Sequence, residues 1–249
     1  NTKLVDELKK NGITTPTKVQ VNVIPEIINK NDVIGKSKTG SGKTLAFLLP
    51  ILQRINSNSK STEVLILSPT RELAIQITEE ANKFNINDIG ILAAYGGKDV
   101  GSQLKKLNKG INLIIATPGR LLDHLERKSI NLSKLNTVVI DEADQMLLMG
   151  FRNEIEKIMS YAPKKLQTLC FSATIDSKVK KLAYRYMNNP TIIDITENEE
   201  SEIPNIKQEV VKTTDRWKVD ALVKILEEDN PFMSIIFCRT KRRADELEV

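Results

Sequence analysis

Short apolar runs alternate with segments of helical periodicity along most of the chain. The runs are DVIG (32–35), VLIL (64–67), GILAA (90–94), NLIIA (112–116), TVVI (137–140), TLCF (168–171) and TIIDI (191–195). Between two of them, Leu73, Ile77, Ala81 and Phe84 recur at the spacing of one helix face. Strands that are apolar on both faces and alternate with helices indicate a covered parallel sheet. The pattern therefore predicts an α/β fold, with a parallel β-sheet and helices on both of its faces.

A change in composition divides the chain near residue 200. The stretch ENEESEIPN, 197–205, contains four glutamates, a proline and few apolar residues, and we interpret 201–205 as a linker. Beyond it, IKQEVVK, RWKVDALVKILEED and SIIFC predict a second strand–helix–strand alternation, and the chain stops inside another predicted helix. About forty residues cannot close a parallel α/β core of their own. We therefore expect one whole domain at 1–200 and the incomplete start of a second at 206–249.

The bulk properties of the chain exclude few classes of protein. It has 249 residues and a formal net charge of +5, which permits a polyanionic partner without demanding one. No apolar run approaches the roughly 18 residues of a membrane helix, and the N-terminus has no apolar signal core, so we expect a cytoplasmic protein without membrane contact. Cys170 and Cys238 lie in apolar runs and are predicted to be buried thiols. His124, the one histidine, excludes multi-histidine metal sites and is predicted to lie on a helix surface.

An unusual polar cluster directly follows each of the first six apolar runs. In chain order the clusters are KSKTGSGKT, SPTRE, YGG, TPGR, DEAD and SAT. Parallel strands of one sheet end at the same edge, and ligands bind outside those carboxyl ends. We therefore expect the six clusters to converge on one edge, as in an active site.

The first cluster, SKTGSGKT at 37–44, has the parts of a phosphate-binding loop. Gly40 and Gly42 let backbone N–H groups curl around an anion, Lys43 can reach the outer phosphates, and the Thr44 hydroxyl suits Mg²⁺. A predicted helix starts here, and its dipole adds to the attraction for phosphate. The strict pattern has glycine where this chain has Ser37.

The stretch TVVIDEAD, 137–144, places three carboxylates directly after a buried strand. A phosphate loop with Mg²⁺ needs an acidic feature at the end of a neighbouring strand. Asp141 is predicted to hold Mg²⁺, partly through water, and Glu142 to polarise the attacking water. The ion and its ligands would compensate the charge at the edge of the core. Lys43, Asp141 and Glu142 are thus the candidate catalytic residues.

In this order, the phosphate loop, PTREL, GG, TPGR, DEAD and SAT resemble the motifs of the DEAD-box ATP-dependent RNA helicases. GITTPTKVQ (12–20) resembles that family's adenine-reading Q motif, and SIIFCRT (234–240) resembles the first motif of its second RecA-like domain. The likeness covers nearly the whole chain. It implies a RecA-like P-loop domain followed by the start of a second, and an enzyme that couples ATP binding and hydrolysis to RNA binding and local duplex unwinding.

The resemblance also implies roles for individual residues at the nucleotide. Gln20 would hydrogen-bond the adenine edge, with Thr17 nearby, and ATP and Mg²⁺ would be the cofactors. The nucleotide-binding loop would comprise Lys38, Thr39, Gly40, Ser41, Gly42, Lys43 and Thr44. The family has an aromatic residue upstream of the Q motif and later arginine-bearing motifs, all expected outside this chain. Arginine contacts of that kind accelerate phosphoryl transfer by about 10³ or more, so we expect the chain to lack full activity alone.

A further set of residues would contact RNA through its backbone, with little sequence preference. By resemblance this set is Pro69, Thr70, Arg71, Gly96, Gly97, Thr117, Pro118, Gly119 and Arg120. Ser172 and Thr174 would hydrogen-bond Asp144 and couple the nucleotide site to the RNA edge. Taken alone, each arginine is as readily explained by a surface ion pair.

Two other functions remain open at this point. One is a non-catalytic RNA-binding clamp that holds ATP without turnover, against which the presence of Lys43, Asp141 and Glu142 argues. The other is a DNA-directed P-loop ATPase of related architecture, against which the DEAD sequence and the Q-like segment argue. Competition between RNA and DNA for binding would separate these two nucleic-acid partners.

Overall fold

The computed structural model of the chain describes residues 2–38, 40–97, 110–195, 207 and 209–248. The chain divides into two compact units, Asn1–Glu200 and Ser201–Val249. The predicted linker at 201–205 lies outside the described residues.

The described part of the first unit alternates strands and helices along most of its length. The strands are β1 (Val33–Lys36), β2 (Val64–Leu67), β3 (Ile91–Ala94), β4 (Leu113–Ala116), β5 (Thr137–Ile140), β6 (Gln167–Ser172) and β7 (Thr191–Asp194). The helices are α1 (Thr2–Lys10), α2 (Lys18–Ile28), α3 (Lys43–Arg54), α4 (Arg71–Lys83), α5 (Pro118–Glu126), α6 (Ala143–Leu148), α7 (Arg152–Ser160) and α8 (Ser177–Tyr186). Each of the seven predicted strands is therefore present, with ends shifted by at most one residue.

The seven strands form one sheet in the order β3-β4-β2-β5-β6-β1-β7, and every pair of neighbours is parallel. This confirms the predicted parallel α/β architecture. The four central strands, β2, β4, β5 and β6, consist of buried residues throughout. Burial on both faces explains why β2 and β4 are continuously apolar rather than alternating, and why β5 and β6 contain the uninterrupted apolar stretches 138–140 and 169–171.

Two apolar layers cover the sheet, and successive residues of a strand enter opposite layers. Val64 and Ile66 of β2 pack with α1 to α4, whereas Leu65 and Leu67 pack with α5 to α8. Full burial of one such aliphatic side chain stabilises the fold by about 1.5–3 kcal/mol. Helices therefore lie on both faces, and the loops that follow the strands are left at the carboxyl edge of the sheet.

The second unit differs from its sequence prediction. Its described residues form a short 3₁₀ helix (Asp215–Trp217) and the helices α9 (Lys218–Asp229) and α10 (Lys241–Asp245). The strands predicted at 206–212 and 234–238 are absent from the described residues, so that prediction is wrong there. A strand needs a neighbour for its backbone hydrogen bonds, and SIIFC has none among the residues of this unit that the structure describes: Phe237 is 93% exposed.

None of the described helices combines the length and the apolar character that crossing a membrane would require.

Candidate functional site

The loop between β1 and α3 has the geometry of an anion-binding cradle. Gly40 and Gly42 have φ angles of +81° and +92°, a backbone region that other residues adopt only with strain. Lys43 is the first residue of α3, and its buried ammonium donates a 3.0 Å hydrogen bond to the Ser37 carbonyl. The lysine is thereby folded over the loop rather than extended into solvent. Thr44 follows in the first turn of α3.

Ser37 stands where the strict phosphate-loop pattern has glycine, and the structure accommodates it. Its side chain is buried, and its hydroxyl accepts a 3.0 Å hydrogen bond from Ser41 Oγ. The loop is therefore braced by a side chain that glycine could not supply. Lys38 is exposed next to it, whereas Thr39 lies outside the described residues.

The Q-like segment packs directly against the phosphate loop. Thr17 and Gln20 form a capping box at the start of α2, in which Gln20 Oε1 accepts a hydrogen bond of 3.0 Å from the Thr17 N–H. Gln20 Nε2 donates to the Gly42 carbonyl at 3.2 Å, and Gln20 is only 5% exposed. An amide has two N–H groups and two acceptor lone pairs, so one of each remains available to a ligand. Adenine recognition by Gln20 stays a prediction.

Asp141 and Glu142 directly follow β5. The charged form of Asp141 is disfavoured by burial, and the backbone of Glu142 is strained. Asp141 is 3% exposed, and burial is the main cause that raises the pKa of its carboxyl to about 6. The negative charges of Glu142 and Asp144 raise this pKa further, whereas the positive charge of Lys43 lowers it. Glu142 has a φ of +50°, which costs about 1–2 kcal/mol for an L-residue with a side chain. Strain and buried charge of this kind concentrate at functional sites.

These groups line one cavity of about 380 Å³. The phosphate loop, the start of α3 and both carboxylates contribute to it, as predicted from the clusters: Gly40, Gly42, Lys43, Thr44, Asp141 and Glu142. Helix α4 supplies a further wall, from Leu73, Gln76, Ile77 and Glu80. This wall was not predicted, because Leu73 and Ile77 indicate only one apolar face of a helix. The signal was present, since Gln76 and Glu80 extend that face at helical spacing.

The residues present fit Mg²⁺. Asp141 offers a carboxylate whose charged form is disfavoured by burial, and a nearby cation would offset that cost. Thr44 offers a hydroxyl to the same cavity. Mg²⁺ prefers oxygen ligands and is usually held by one or two protein groups together with water and phosphate oxygens. No group of three or more potential ligands from His, Cys, Asp and Glu occurs among the described residues, and such a site would not need one.

Asp144 connects the DEAD cluster to the SAT cluster. Its Oδ2 accepts hydrogen bonds from the Thr174 N–H at 3.0 Å and from Thr174 Oγ1 at 2.9 Å, and its backbone N–H donates to Ser172 Oγ at 3.2 Å. Burial alone would raise the pKa of the Asp144 carboxyl, but the hydrogen bonds that it accepts, chiefly from Thr174, lower this pKa overall. The contacts that the family resemblance implied are therefore present as geometry, and their role in coupling stays a proposal.

A second cavity, of about 260 Å³, continues from this link toward the PTREL cluster. Its lining includes Lys43 and Glu142 on one side and Pro69 and Thr70 on the other. The nucleotide candidates and the first RNA candidates thus share one continuous surface. Thr70 also has a structural role, because its hydroxyl caps α4 by accepting from the Leu73 N–H at 3.2 Å.

Arg71 lies beside the glycine pair that follows β3. Its guanidinium carbon is 5.3 Å from the centre of the Tyr95 ring, a cation–π contact worth about 0.5–1 kcal/mol. A Cβ on Gly97 would come within 2.9 Å of Arg71 Nη1, so the glycine leaves room for the guanidinium. Gly96 is exposed next to it. The sequence analysis did not single out Tyr95, although an aromatic residue directly before the glycine pair was a usable signal.

The TPGR cluster begins α5 at the end of β4. Thr117 is the N-cap residue and Pro118 the first helical residue, followed by exposed Gly119 and half-buried Arg120. The Thr117 N–H donates to the Ala94 carbonyl at 3.0 Å, which fixes this turn beside the end of β3. The RNA candidates therefore follow the neighbouring strands β3, β4 and β2, whereas the nucleotide candidates follow β5 and β1.

Two sequence predictions outside this edge need correction. His124 is fully buried in α5 rather than on its surface, and its Nδ1 lies 2.8 Å from Ser129 Oγ. Burial is the main cause that lowers the pKa of His124. Both cysteines are free thiols, but only Cys170 is buried, and Cys238 is partly exposed because the strand predicted around it does not form.

Comparisons with known proteins agree with the motif pattern. The family model described as DEAD/DEAH box helicase matches residues 17–182. The DEAD-box ATP-dependent RNA helicase CshA of Bacillus subtilis is 42% identical over 245 residues, which cover 98% of this chain and 49% of that protein. CshA of Geobacillus kaustophilus is 40% identical over 241 residues, which cover 96% of this chain and 51% of the relative. The chain thus spans about half the length of these curated relatives.

One solved structure with the same fold is that of a DEAD box protein from the hyperthermophile Methanococcus jannaschii. It superposes with a TM-score of 0.75 at 36% sequence identity, over 99% of this chain and 66% of the other.

Proposed function

The chain belongs to the DEAD/DEAH box helicase family, and from this we propose that the protein couples ATP binding and hydrolysis to RNA binding and local duplex unwinding. The observation that carries the proposal is the cavity in which Lys43, Thr44, Asp141 and Glu142 meet. A phosphate cradle, a hydroxyl and two carboxylates in one cavity are the parts required for hydrolysis of a nucleoside triphosphate.

We assign nucleotide binding to the loop between β1 and α3. Its N–H groups and the α3 N-terminus would hold the phosphates, and Lys43 would exchange its bond to the Ser37 carbonyl for a phosphate oxygen. Thr44 and Asp141 would hold Mg²⁺, which supplies positive charge against the phosphate oxygens when bound. Gln20, already bonded to Gly42, would use its remaining N–H and lone pair on the adenine edge.

Glu142 is assigned as the group that accepts a proton from the attacking water. Its backbone conformation turns the chain sharply after β5, and its side chain lines both the 380 Å³ and the 260 Å³ cavities. A half-buried carboxylate in that position can orient water and take its proton as the water oxygen bonds to the terminal phosphorus and the bond from that phosphorus to the bridging oxygen breaks, which releases ADP.

RNA is assigned to the other half of the carboxyl edge, where Arg71, Gly96, Gly97, Gly119 and Arg120 lie. These groups offer guanidinium and exposed backbone N–H donors, which suit phosphate oxygens and carry little sequence information. The hydrogen bonds of Asp144 with Ser172 and Thr174 would transmit a change at the nucleotide to this edge.

We assign 1–200 to a first RecA-like domain, 201–205 to a linker and 206–249 to the start of a second RecA-like domain. The division of the chain after Glu200 and the greater length of its relatives support this arrangement. Completion by a second domain would supply the neighbours that SIIFC needs in order to pair as a strand.

The test is ATP turnover with and without single-stranded RNA, in the longest natural form of the protein that carries this chain. We expect Glu142→Gln to keep ATP affinity and to lower RNA-stimulated turnover by about 10²–10⁴-fold. Glu79→Gln, an exposed carboxylate on α4, is the matched control and should leave turnover unchanged. Unchanged turnover in Glu142→Gln would remove Glu142 from its assigned role.

The rival to catalysis is an RNA-binding clamp that holds ATP without hydrolysing it. That function would need the phosphate loop but would have no use for Glu142 strained at a φ of +50° beside the cavity. ATP-dependent RNA binding with no turnover in the wild-type protein would favour the clamp.

A further inference from the structure

A second cleft lies at the opposite edge of the sheet from the motif clusters. Its volume is about 900 Å³, which exceeds the 380 Å³ of the nucleotide cavity. The residues that precede three neighbouring strands line it: Asp32 before β1, Asn136 before β5 and Leu166 before β6. Because neighbouring strands are about 4.8 Å apart, the cleft spans about 10 Å across these strands alone. None of the family motifs contributes to it.

Basic side chains dominate the lining. Lys30, Arg54, Lys164, Lys165 and Arg185 all border the cleft, and Asp32 is the one acidic residue that does so among the described residues. Five positive charges around one cavity create a local potential that attracts anions much more strongly than the modest net charge of the whole chain implies.

The two arginines are already engaged by other side chains, and the three lysines are available to a ligand. Arg185 forms an ion pair of 2.8 Å with Glu156, and Arg54 donates hydrogen bonds to Thr137 and Gln167. Across the described ranges, Lys30, Lys164 and Lys165 form no ion pair, and all three are exposed.

The acidic residue does not neutralise these lysines. Asp32 is 8% exposed, and its two oxygens accept N–H groups from Thr168 at 2.7 Å and from Asn188 at 2.6 Å. Its charge is therefore directed to the backbone at the bottom of the cleft, while the lysine ammonium groups lie at the surface. This division of charge suits a ligand that carries several negative charges.

The rest of the lining favours a nucleic acid as the ligand. Asparagines 31, 136, 188 and 189 and the half-buried Tyr186 add amide donors, amide acceptors and an aromatic ring. These groups, with Lys and Arg, are the ones that contact the phosphates, sugars and unstacked bases of RNA. An acidic peptide would also need apolar anchor pockets, and the apolar residues here, Leu166 and Met187, are half-buried and buried.

We propose that this cleft is a second RNA-binding surface, which holds the phosphate backbone of a strand at the amino edge of the first unit. The choice of RNA as the ligand rests on the proposed function. The position of the cleft and its lysines do not involve the motif clusters at the carboxyl edge of the sheet. The cleft shares no lining residue with the nucleotide cavity, so its binding should not depend on ATP.

The test is fluorescence anisotropy of a labelled single-stranded RNA with this chain, at several salt concentrations and with and without ATP. We expect Lys164→Ala/Lys165→Ala to weaken RNA binding about tenfold and to reduce the salt slope by about 1.4, because each lost phosphate contact on a single strand is worth about 0.7. The reduction should be the same with and without ATP. Lys180→Ala/Lys181→Ala removes the same charge from exposed positions of α8 and should change neither quantity.

Arg71→Ala separates this inference from the proposed function. If Arg71→Ala weakens RNA binding and the Lys164/Lys165 variant does not, the cleft is not an RNA site, and RNA binding at the carboxyl edge is still supported. If both variants weaken binding, and the lysine effect is independent of ATP, the second surface is supported. Loss of labelled oligoglutamate binding in the lysine variant, with RNA binding unchanged, would instead indicate an acidic protein partner and overturn the proposal. A wild-type chain that binds no RNA would refute the proposal together with the RNA part of the function.

Discussion

Asp141→Asn should stabilise the nucleotide-free protein at neutral pH, although it removes a residue assigned to Mg²⁺. Burial raises the pKa of Asp141 from its ordinary value of 3.8 to about 6, so the folded chain holds this proton more strongly than the unfolded chain does. Below about pH 4 both states are protonated, and the group has no pH-dependent effect on stability. Between about pH 4 and pH 6 the unfolded chain releases the proton first, and the folded state loses stability.

The size of the effect follows from the two pKa values. A difference of about 2 in pKa, at about 1.4 kcal/mol each, makes the folded state about 3 kcal/mol less stable above pH 6. Asparagine carries no charge at any of these pH values, and its carbonyl can still accept the Glu142 N–H that Asp141 Oδ1 accepts at 3.0 Å. The advantage of Asp141→Asn over the wild type should therefore be about 3 kcal/mol larger at about pH 8 than at about pH 4.

The assay is urea unfolding in EDTA, without nucleotide, followed by far-UV circular dichroism across this pH range. Fluorescence of Trp217, the one tryptophan, reports on the second unit and should not differ between the two proteins. Glu79→Gln removes the charge of an exposed carboxylate on α4 and serves as the control. If Asp141→Asn raises the free energy of unfolding by the same amount at every pH, burial does not disfavour the charged form of Asp141, and the reasoning is refuted.

Two further predictions concern the core. Gly35→Ala should destabilise the first unit by about 1–3 kcal/mol in urea unfolding, because the added Cβ would lie 2.6 Å from the Phe171 ring. Gly119→Ala is the control and should not destabilise the unit, because a Cβ there meets open space. Burial raises the pKa of the Cys170 thiol to about 12, so one thiol per chain, that of Cys238, should react with a thiol reagent in the native protein and two in urea. Rapid modification of Cys170 without denaturant would contradict the packing of β6.

The fold of the first unit could be predicted because a local pattern of apolar and polar residues marks each of its strands. VLIL and the VVI of TVVI are uninterrupted apolar stretches bounded by polar residues. Each of these four-residue runs forms the predicted strand without a shift at either end. SIIFC has the same local pattern but forms no strand, because pairing depends on neighbours that composition cannot show. The strand order likewise could not be read from the chain, since it depends on how long crossovers pack.

Residues of the site were predictable to the extent that they belong to a motif. The spacing of Gly42 and Lys43, and the position of Asp141 directly after an apolar run, indicate phosphate chemistry from the sequence alone. The contacts of Gln20 with Gly42 join parts of the chain that are 22 residues apart, and only the fold shows them. His124 was misjudged because α5 has a polar sequence around it, whereas packing buries its ring completely.

Calorimetric titration of this chain with ATP in the presence of Mg²⁺, for the wild type and Lys43→Ala, shows whether the loop between β1 and α3 binds the nucleotide. Lys43 is buried over the phosphate loop, and a hydrogen bond to a charged group contributes about 1.5–3 kcal/mol. We expect ATP to bind and Lys43→Ala to weaken binding by about ten- to a hundredfold. Lys157→Ala, at a partly exposed position of α7, should leave the affinity unchanged. Equal affinity of the wild type and Lys43→Ala for ATP would contradict the assignment of this loop as the nucleotide site.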